Sequence, residues 1–156
     1  MGMRILVAED SPSFALFYKN ALEKRGHTVI IAKDGNDCMY KYMDSIKGDG
    51  QVKKENLYDL VILDQKMPRM QGTDVAKEIL DLNPKQRIMF VTGHVKEMMK
   101  GIKEIGEKIE LLQKPFPTLA MIRQVEGLKR FRWLQRILGR GGLQDWDGEK
   151  GLSEPI

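Results

Sequence analysis

Four short apolar runs in this chain each lead into residues that can do chemistry. Ile5, Leu6, Val7 and Ala8 lead to Glu9-Asp10, Leu60 to Leu63 lead to Asp64, a run closing at Val91 leads to Thr92-Gly93, and Ile109 to Leu112 lead to Lys114. If these ends converge, three carboxylates, one hydroxyl and one ammonium share a site. Clustered carboxylates repel one another and favour a hard cation with oxygen ligands. Mg²⁺ suits such a set, because it takes few carboxylates, keeps waters and bridges to phosphate oxygens. A carboxylate can also attack phosphorus and carry the phosphoryl group as an aspartyl phosphate. The new phosphoryl oxygens would then be met by Mg²⁺, the Lys114 ammonium and the Thr92 hydroxyl. Each residue also has a plainer reading. Asp10 could cap a helix, Asp64 and Thr92 could serve turns, and Lys114 could be a surface charge. Four unrelated needs would rarely place these types after four successive apolar runs, so the joint reading outweighs its parts.

Convergence depends on the elements. Short β-branched runs alternate with longer helical patterns, which predicts a parallel sheet with helices on its faces. Strands are expected over residues 4–9, 27–32, 60–63, 87–91 and 109–112. Ser11-Pro12 reads as an N-cap and first helical position, and Phe14, Phe17 and Ala21 recur at helical spacing before Gly26 stops the first helix. Asp34-Gly35 reads as a turn before a helix whose inner face carries Met39, Tyr42, Met43 and Ile46. Residues 48–56 form a surface loop, and Met67-Pro68 with Gly72 another. Val75, Ile79 and Leu80 mark a third helix that Asn83-Pro84 ends. Val95, Met98, Met99, Ile102 and Ile105 line a fourth, with at least one of the two methionines filling the core. A fifth starts near Pro117, and its apolar stripe from Met121 continues to Leu138, with Gly127 as a weak point. The sum is an α/β domain of five βα units in a doubly wound sheet, where ligands bind at the carboxyl ends of the strands.

Composition narrows the functional classes. The 156 residues are 42% hydrophobic and 31% charged, which fits one soluble domain with a short appendage. A net charge of +4 is too mild to imply nucleic-acid binding. One cysteine, Cys38, rules out an internal disulfide, and one Cys with two His cannot build a Cys/His zinc site. No signal peptide or membrane-length apolar run is visible, so the expected location is the cytoplasm.

The stretches ILVAEDS at 5–11, VILDQKMPRMQG at 61–72, FVTG at 90–93 and LLQKPF at 111–116 resemble the receiver domains of two-component response regulators. They occur in order and span the chain to about Leu128. The resemblance implies a flavodoxin-like (βα)5 domain with a five-stranded parallel sheet in the order 2-1-3-4-5. It implies Asp64 as phosphoacceptor, and Mg²⁺ held by Asp10, Asp64, the Lys66 backbone carbonyl and, partly through water, Glu9. Thr92 matches the switch hydroxyl, Lys114 the lysine that pairs with acceptor and phosphate, and Lys114-Pro115 a bond that is usually cis. Lys66 and His94 occupy positions that influence phosphoryl lifetime. Leu111 stands where the family often carries a switching Tyr or Phe, and Gly93 where alanine is common. The implied activity is a signalling switch rather than an enzyme acting on other substrates. The implied partners are a sensor histidine kinase or phosphotransfer protein, and an output partner on the face of the fourth helix, fifth strand and fifth helix.

The domain is thus expected over residues 1–128. Residues 129–156 form a C-terminal extension, a basic amphipathic helix to about 138 and then a disordered tail. KRFRWLQRILGR at 129–140 has five basic residues and no acid. It could support a homodimer, or bind a partner protein or anionic surface. Nucleic-acid binding is not expected because no winged-helix or helix-turn-helix domain follows. A stand-alone receiver is the expected organisation. Two rivals fail on particular residues: a haloacid-dehalogenase-like phosphatase needs an acid where Lys66 stands, and a flavodoxin-type cofactor binder needs a phosphate cradle where Glu9 and Asp10 stand. No GxxxxGK[ST] loop is present. A pseudo-receiver that only docks other proteins is the remaining alternative, favoured mildly by Leu111.

Overall fold

The computed structural model describes residues 2–47, 50, 57–102 and 109–127. Five strands alternate with five helices: β1 Arg4–Ala8, α1 Pro12–Glu23, β2 Thr28–Ala32, α2 Gly35–Lys47, β3 Leu60–Leu63, α3 Gly72–Leu82, β4 Ile88–Thr92, α4 Val95–Ile102, β5 Ile109–Gln113 and α5 Thr118–Glu126. All strand pairs are parallel, in the order β2-β1-β3-β4-β5. This is the flavodoxin-like order expected from the sequence. The chain forms two compact units, Met1–Pro115 with the whole sheet and Phe116–Ile156 with α5. Among the described residues no helix is long and apolar enough to cross a membrane.

The central strands β1, β3 and β4 are apolar along nearly their whole length because both faces are buried. Side chains alternate across a strand. Leu6, Ala8, Val61, Leu63, Ile88 and Phe90 therefore join one core with Cys38, Met39 and Tyr42 of α2, Val75, Ala76 and Ile79 of α3 and Met98 of α4. Ile5, Val7, Leu60, Ile62, Met89 and Val91 take the opposite face and are also buried. Each such side chain removed from water stabilises the fold by about 1.5–3 kcal/mol. That burial holds the strand ends, and the polar residues after them, in fixed register.

Several local expectations are corrected. On α1 the buried residues are Tyr18 and Leu22, not the Phe14, Phe17 and Ala21 stripe, and Phe14 is 41% exposed. Phe14 lies on the same row one turn before Tyr18, in the first turn of the helix, and there stands at the rim. Asp34-Gly35 is not a turn preceding α2 but its start: Asp34 Oδ1 accepts the Asp37 N–H at 2.8 Å, and Gly35 is the first helical residue. On α4 the expectation that at least one methionine fills the core holds: Met98 is buried and Met99 is half exposed. Strand edges move by one residue, so Glu9 lies just past β1 and Thr92 is the last residue of β4. Ile105 lies outside the described residues. α5 closes at Glu126 with Gly127 at φ 69, and the continuation to Leu138 and the tail lie outside the described residues.

Gly72 opens α3 directly against the backbone of the third strand's end. A Cβ there would overlap the carbonyl oxygen of Asp64, and its other neighbour, Phe90, is itself fully buried. Backbone cannot yield as a flexible side chain can, so Gly72→Ala is expected to cost about 1–3 kcal/mol in urea unfolding. At Gly93 a methyl group would meet nothing within 4 Å. Gly93→Ala is expected to fall within about 0.5 kcal/mol of the parent in the same measurement.

Candidate functional site

The parallel sheet brings the ends of β1, β3, β4 and β5 to one edge. Backbone bonds fix their heights: Glu9 N–H donates to the Ala32 carbonyl at 3.0 Å, Asp64 N–H to Ala8 at 3.3 Å, and Lys114 N–H to Thr92 at 3.0 Å. Carboxylate oxygens of Glu9, Asp10 and Asp64 all lie within 4.8 Å of one another. Lys114 reaches into this cluster, with Nζ 3.0 Å from Asp64 Oδ2 and 3.2 Å from Glu9 Oε2. Of the five residues that the sequence suggested, the side chains of Glu9, Asp10, Asp64 and Lys114 are thus brought together, and Thr92 joins them through its carbonyl, which accepts the Lys114 N–H.

Their environments differ. Glu9 is only 4% exposed, and its second oxygen accepts the Ser11 N–H at 3.1 Å. Burial pushes its carboxyl above the ordinary range; the Ser11 N–H and Lys114 pull the other way without cancelling that, and the Asp64 charge adds to the rise. For Lys114, burial alone would favour the neutral amine. The hydrogen bond and charge of Asp64, then those of Glu9, outweigh it and hold the ammonium above the ordinary lysine value. Asp10 stands exposed at the mouth.

Asp64 is split between two surroundings. Oδ2 accepts from Lys114, whereas Oδ1 is buried and has no hydrogen-bond partner among the described residues. A buried carboxylate oxygen without a donor is costly unless something cationic meets it. An orphaned oxygen on a carboxylate clustered with two further acids fits a hard cation, and Mg²⁺ is compatible with this donor set.

Thr92 is fully buried, and its Oγ1 accepts the His94 N–H at 3.0 Å, so the hydroxyl is held by its own loop. The side chains of His94 and Lys66 are exposed. Leu111 is partly buried and packs against the core containing Phe90. The Lys114-Pro115 bond is cis.

Two features were not foreseen. Gln65, buried beside Asp64, accepts the Thr73 N–H at 3.1 Å and donates to Thr73 Oγ1 and Gln71 Oε1, each at 3.3 Å, tying the loop after Asp64 to α3. Nothing in its spacing marks a glutamine as such a clip. The ring of Phe14 lies over Lys114, with Nζ 4.2 Å from its centroid. One signal did exist: Phe14 is four residues after Asp10, one helical turn from the carboxyl edge of the sheet.

This sheet order and edge of acids, threonine and lysine describe a receiver-type domain. The family model of the response regulator receiver domain matches residues 5–126, and the chain belongs to that family. It is 30% identical over 133 residues to the chemotaxis protein CheY of Thermotoga maritima, covering 83% of this chain and 98% of that protein. It is 27% identical over 123 residues to the response regulator receiver protein CpdR of Brucella abortus, covering 79% and 93%. The fold matches the crystal structure of the CheX-CheY-BeF3-Mg²⁺ complex from Borrelia burgdorferi with a TM-score of 0.67 at 23% identity, covering 81% of this chain and 88% of that one.

The raised Glu9 carboxyl makes a prediction for the metal-free protein. A folded value above the unfolded 4.5 means that ionised Glu9 opposes folding. Its favourable contribution is complete below pH 4.5 and is lost as pH rises through the folded value. Glu9→Gln is therefore expected to be more stable than the parent at pH 7 without metal. The two should converge below pH 4.5, as read from thermal midpoints.

Proposed function

We propose that this chain is a phosphorylation-controlled switch that takes a phosphoryl group on Asp64 with Mg²⁺ bound by Glu9, Asp10, Asp64 and the Lys66 carbonyl. The observation that supports it most is the Asp64 carboxylate itself, with one oxygen on Lys114 and the other buried without a donor among acids. In the proposed step an Asp64 oxygen forms a bond to phosphorus while the donor's bond to phosphorus breaks, the leaving group keeping that electron pair. Bound Mg²⁺ would supply charge neutralisation for the acids and the phosphoryl oxygens. Lys114 holds the acceptor in place and offers its N–H groups to developing negative charge. The Thr92 hydroxyl, whose oxygen accepts the His94 N–H, would donate its O–H to the phosphoryl group and carry the β4–α4 loop with it.

The natural donors for such a site are histidine kinases or phosphotransfer proteins. An output partner is proposed to read the loop movement through α4, where Met99 is half exposed. With Leu111 in place of an aromatic, that coupling would run through the Thr92 loop rather than a rotating ring. Lys66 and His94, both exposed, are proposed to set phosphoryl lifetime. Equal half-lives of the phosphorylated parent and Lys66→Asn would remove that role from Lys66. A docking-only role draws no support from a site with its acids, threonine and lysine all in place.

Intact mass after incubation with a small phosphodonor is the direct test. The parent is expected to gain one phosphoryl group with Mg²⁺ and none without it, and Asp64→Asn none in either case. A folded parent that gains nothing with Mg²⁺ overturns the proposal.

A further inference from the structure

The Lys114 ammonium has three N–H donors, and two are met by Asp64 Oδ2 at 3.0 Å and Glu9 Oε2 at 3.2 Å. Against this partly buried cation lies the ring of Phe14, its centroid 4.2 Å from Nζ. That distance is well inside the range in which the negative face of an aromatic ring attracts a cation, and the attraction grows as water is removed. Phe14 is not a loose surface residue. Tyr18, one turn further along α1 and 1% exposed, sits with its ring centroid 6.5 Å from that of Phe14. Tyr18 in turn contacts Phe17, with centroids 5.5 Å apart. The helix therefore presents a braced ring to the site, one that is 41% exposed and so stands at its rim.

We propose that Phe14 is a positioning residue for Lys114, its ring face holding the ammonium over the acceptor carboxylate while the hydrogen-bond partners of that ammonium change. The proposal rests on the phosphoryl-transfer reading above. The physical need is specific. As a phosphoryl group arrives at Asp64, Lys114 must redirect donors from carboxylate to phosphoryl oxygens. A carboxylate partner moves with the reaction, but the ring does not. It offers a fixed attraction without an acceptor lone pair that would compete for the N–H groups. A leucine of similar bulk would exclude water from the same place but would carry no such field, so the two contributions can be separated.

The test compares the full-length parent, Phe14→Leu and Phe14→Tyr in two measurements. In NMR spectra of the metal-free proteins, the Lys114 side-chain ε and ζ protons should lie upfield of those of other lysines through the ring current. That displacement should vanish in Phe14→Leu and persist in Phe14→Tyr. With acetyl phosphate and Mg²⁺, the rate constant for phosphoryl uptake should fall roughly three- to tenfold in Phe14→Leu. Phe14→Tyr should stay within about twofold of the parent, because its ring keeps the negative face. Parent-like uptake by Phe14→Leu, or an equal loss in both variants, overturns the proposal, as does an undisplaced Lys114 in the parent. If the parent takes up no phosphoryl group even though Lys114 is displaced, the phosphoryl-transfer reading fails and the positioning role with it. A ring contact that exists without uptake is thereby told apart from a ring contact that does not exist.

Discussion

Three carboxylates at the end of one sheet are an electrostatic problem, and the Lys114 ammonium is the protein's own answer to part of it. It touches two of the three acids and leaves the third, Asp10, in solvent. The remaining imbalance is visible in the molecule: Glu9 is driven toward its neutral form, and one oxygen of Asp64 is buried without a donor. A site arranged in this way is short of positive charge. That shortage is what makes it receptive to a divalent cation, at the expense of stability in the cation's absence.

The rest of the fold keeps that imbalance in place. Apolar strands buried on both faces give the edge its rigidity, and backbone hydrogen bonds between neighbouring strand ends set the relative heights of Glu9, Asp64 and Lys114. Gly72 lets α3 start hard against the Asp64 backbone, and Gln65 ties the same loop to Thr73. A similar close approach occurs at Gly35, where a Cβ would overlap the Met70 carbonyl, while Arg69 at φ 71 pairs with Asp34 at 3.5 Å. The loop after the acceptor is therefore fastened to two helix starts. Against this fixed frame Thr92 stands out, because its hydroxyl oxygen accepts the neighbouring loop amide and that bond does not use its O–H donor.

Membership of the receiver family follows from a match along residues 5–126 and does not depend on any single side chain. What the family leaves open is how a change at Asp64, under the proposed function, would be transmitted in a chain with Leu111 where relatives are expected to carry an aromatic. Leu111 packs with the core that also holds Phe90, as an ordinary apolar residue would. On the proposed function the Thr92 loop and α4 would carry the change, and on α4 the surface Met99 contrasts with its buried neighbour Met98.

Much of this was legible in the sequence. Runs such as LVIL at Leu60–Leu63 can only be strands covered on both sides, and the alternation with helical patterns requires parallel pairing. Once the strands are parallel, Glu9, Asp10, Asp64, Thr92 and Lys114 must meet, because all five follow or close strands that point the same way. What the tertiary structure alone decided is the rotation of helices and the choice of partners. The spacing of Phe14, Phe17 and Ala21 is as helical as that of Tyr18 and Leu22, and only packing selects which stripe faces inward. Phe14 shares the row of Tyr18 and Leu22 but sits in the first turn, and there it meets Lys114 instead of the core. In the same way, local residue types cannot say which oxygen of Asp64 will lack a donor, since that depends on atoms brought together from β1, β3 and β5, separated in the chain by about fifty residues or more.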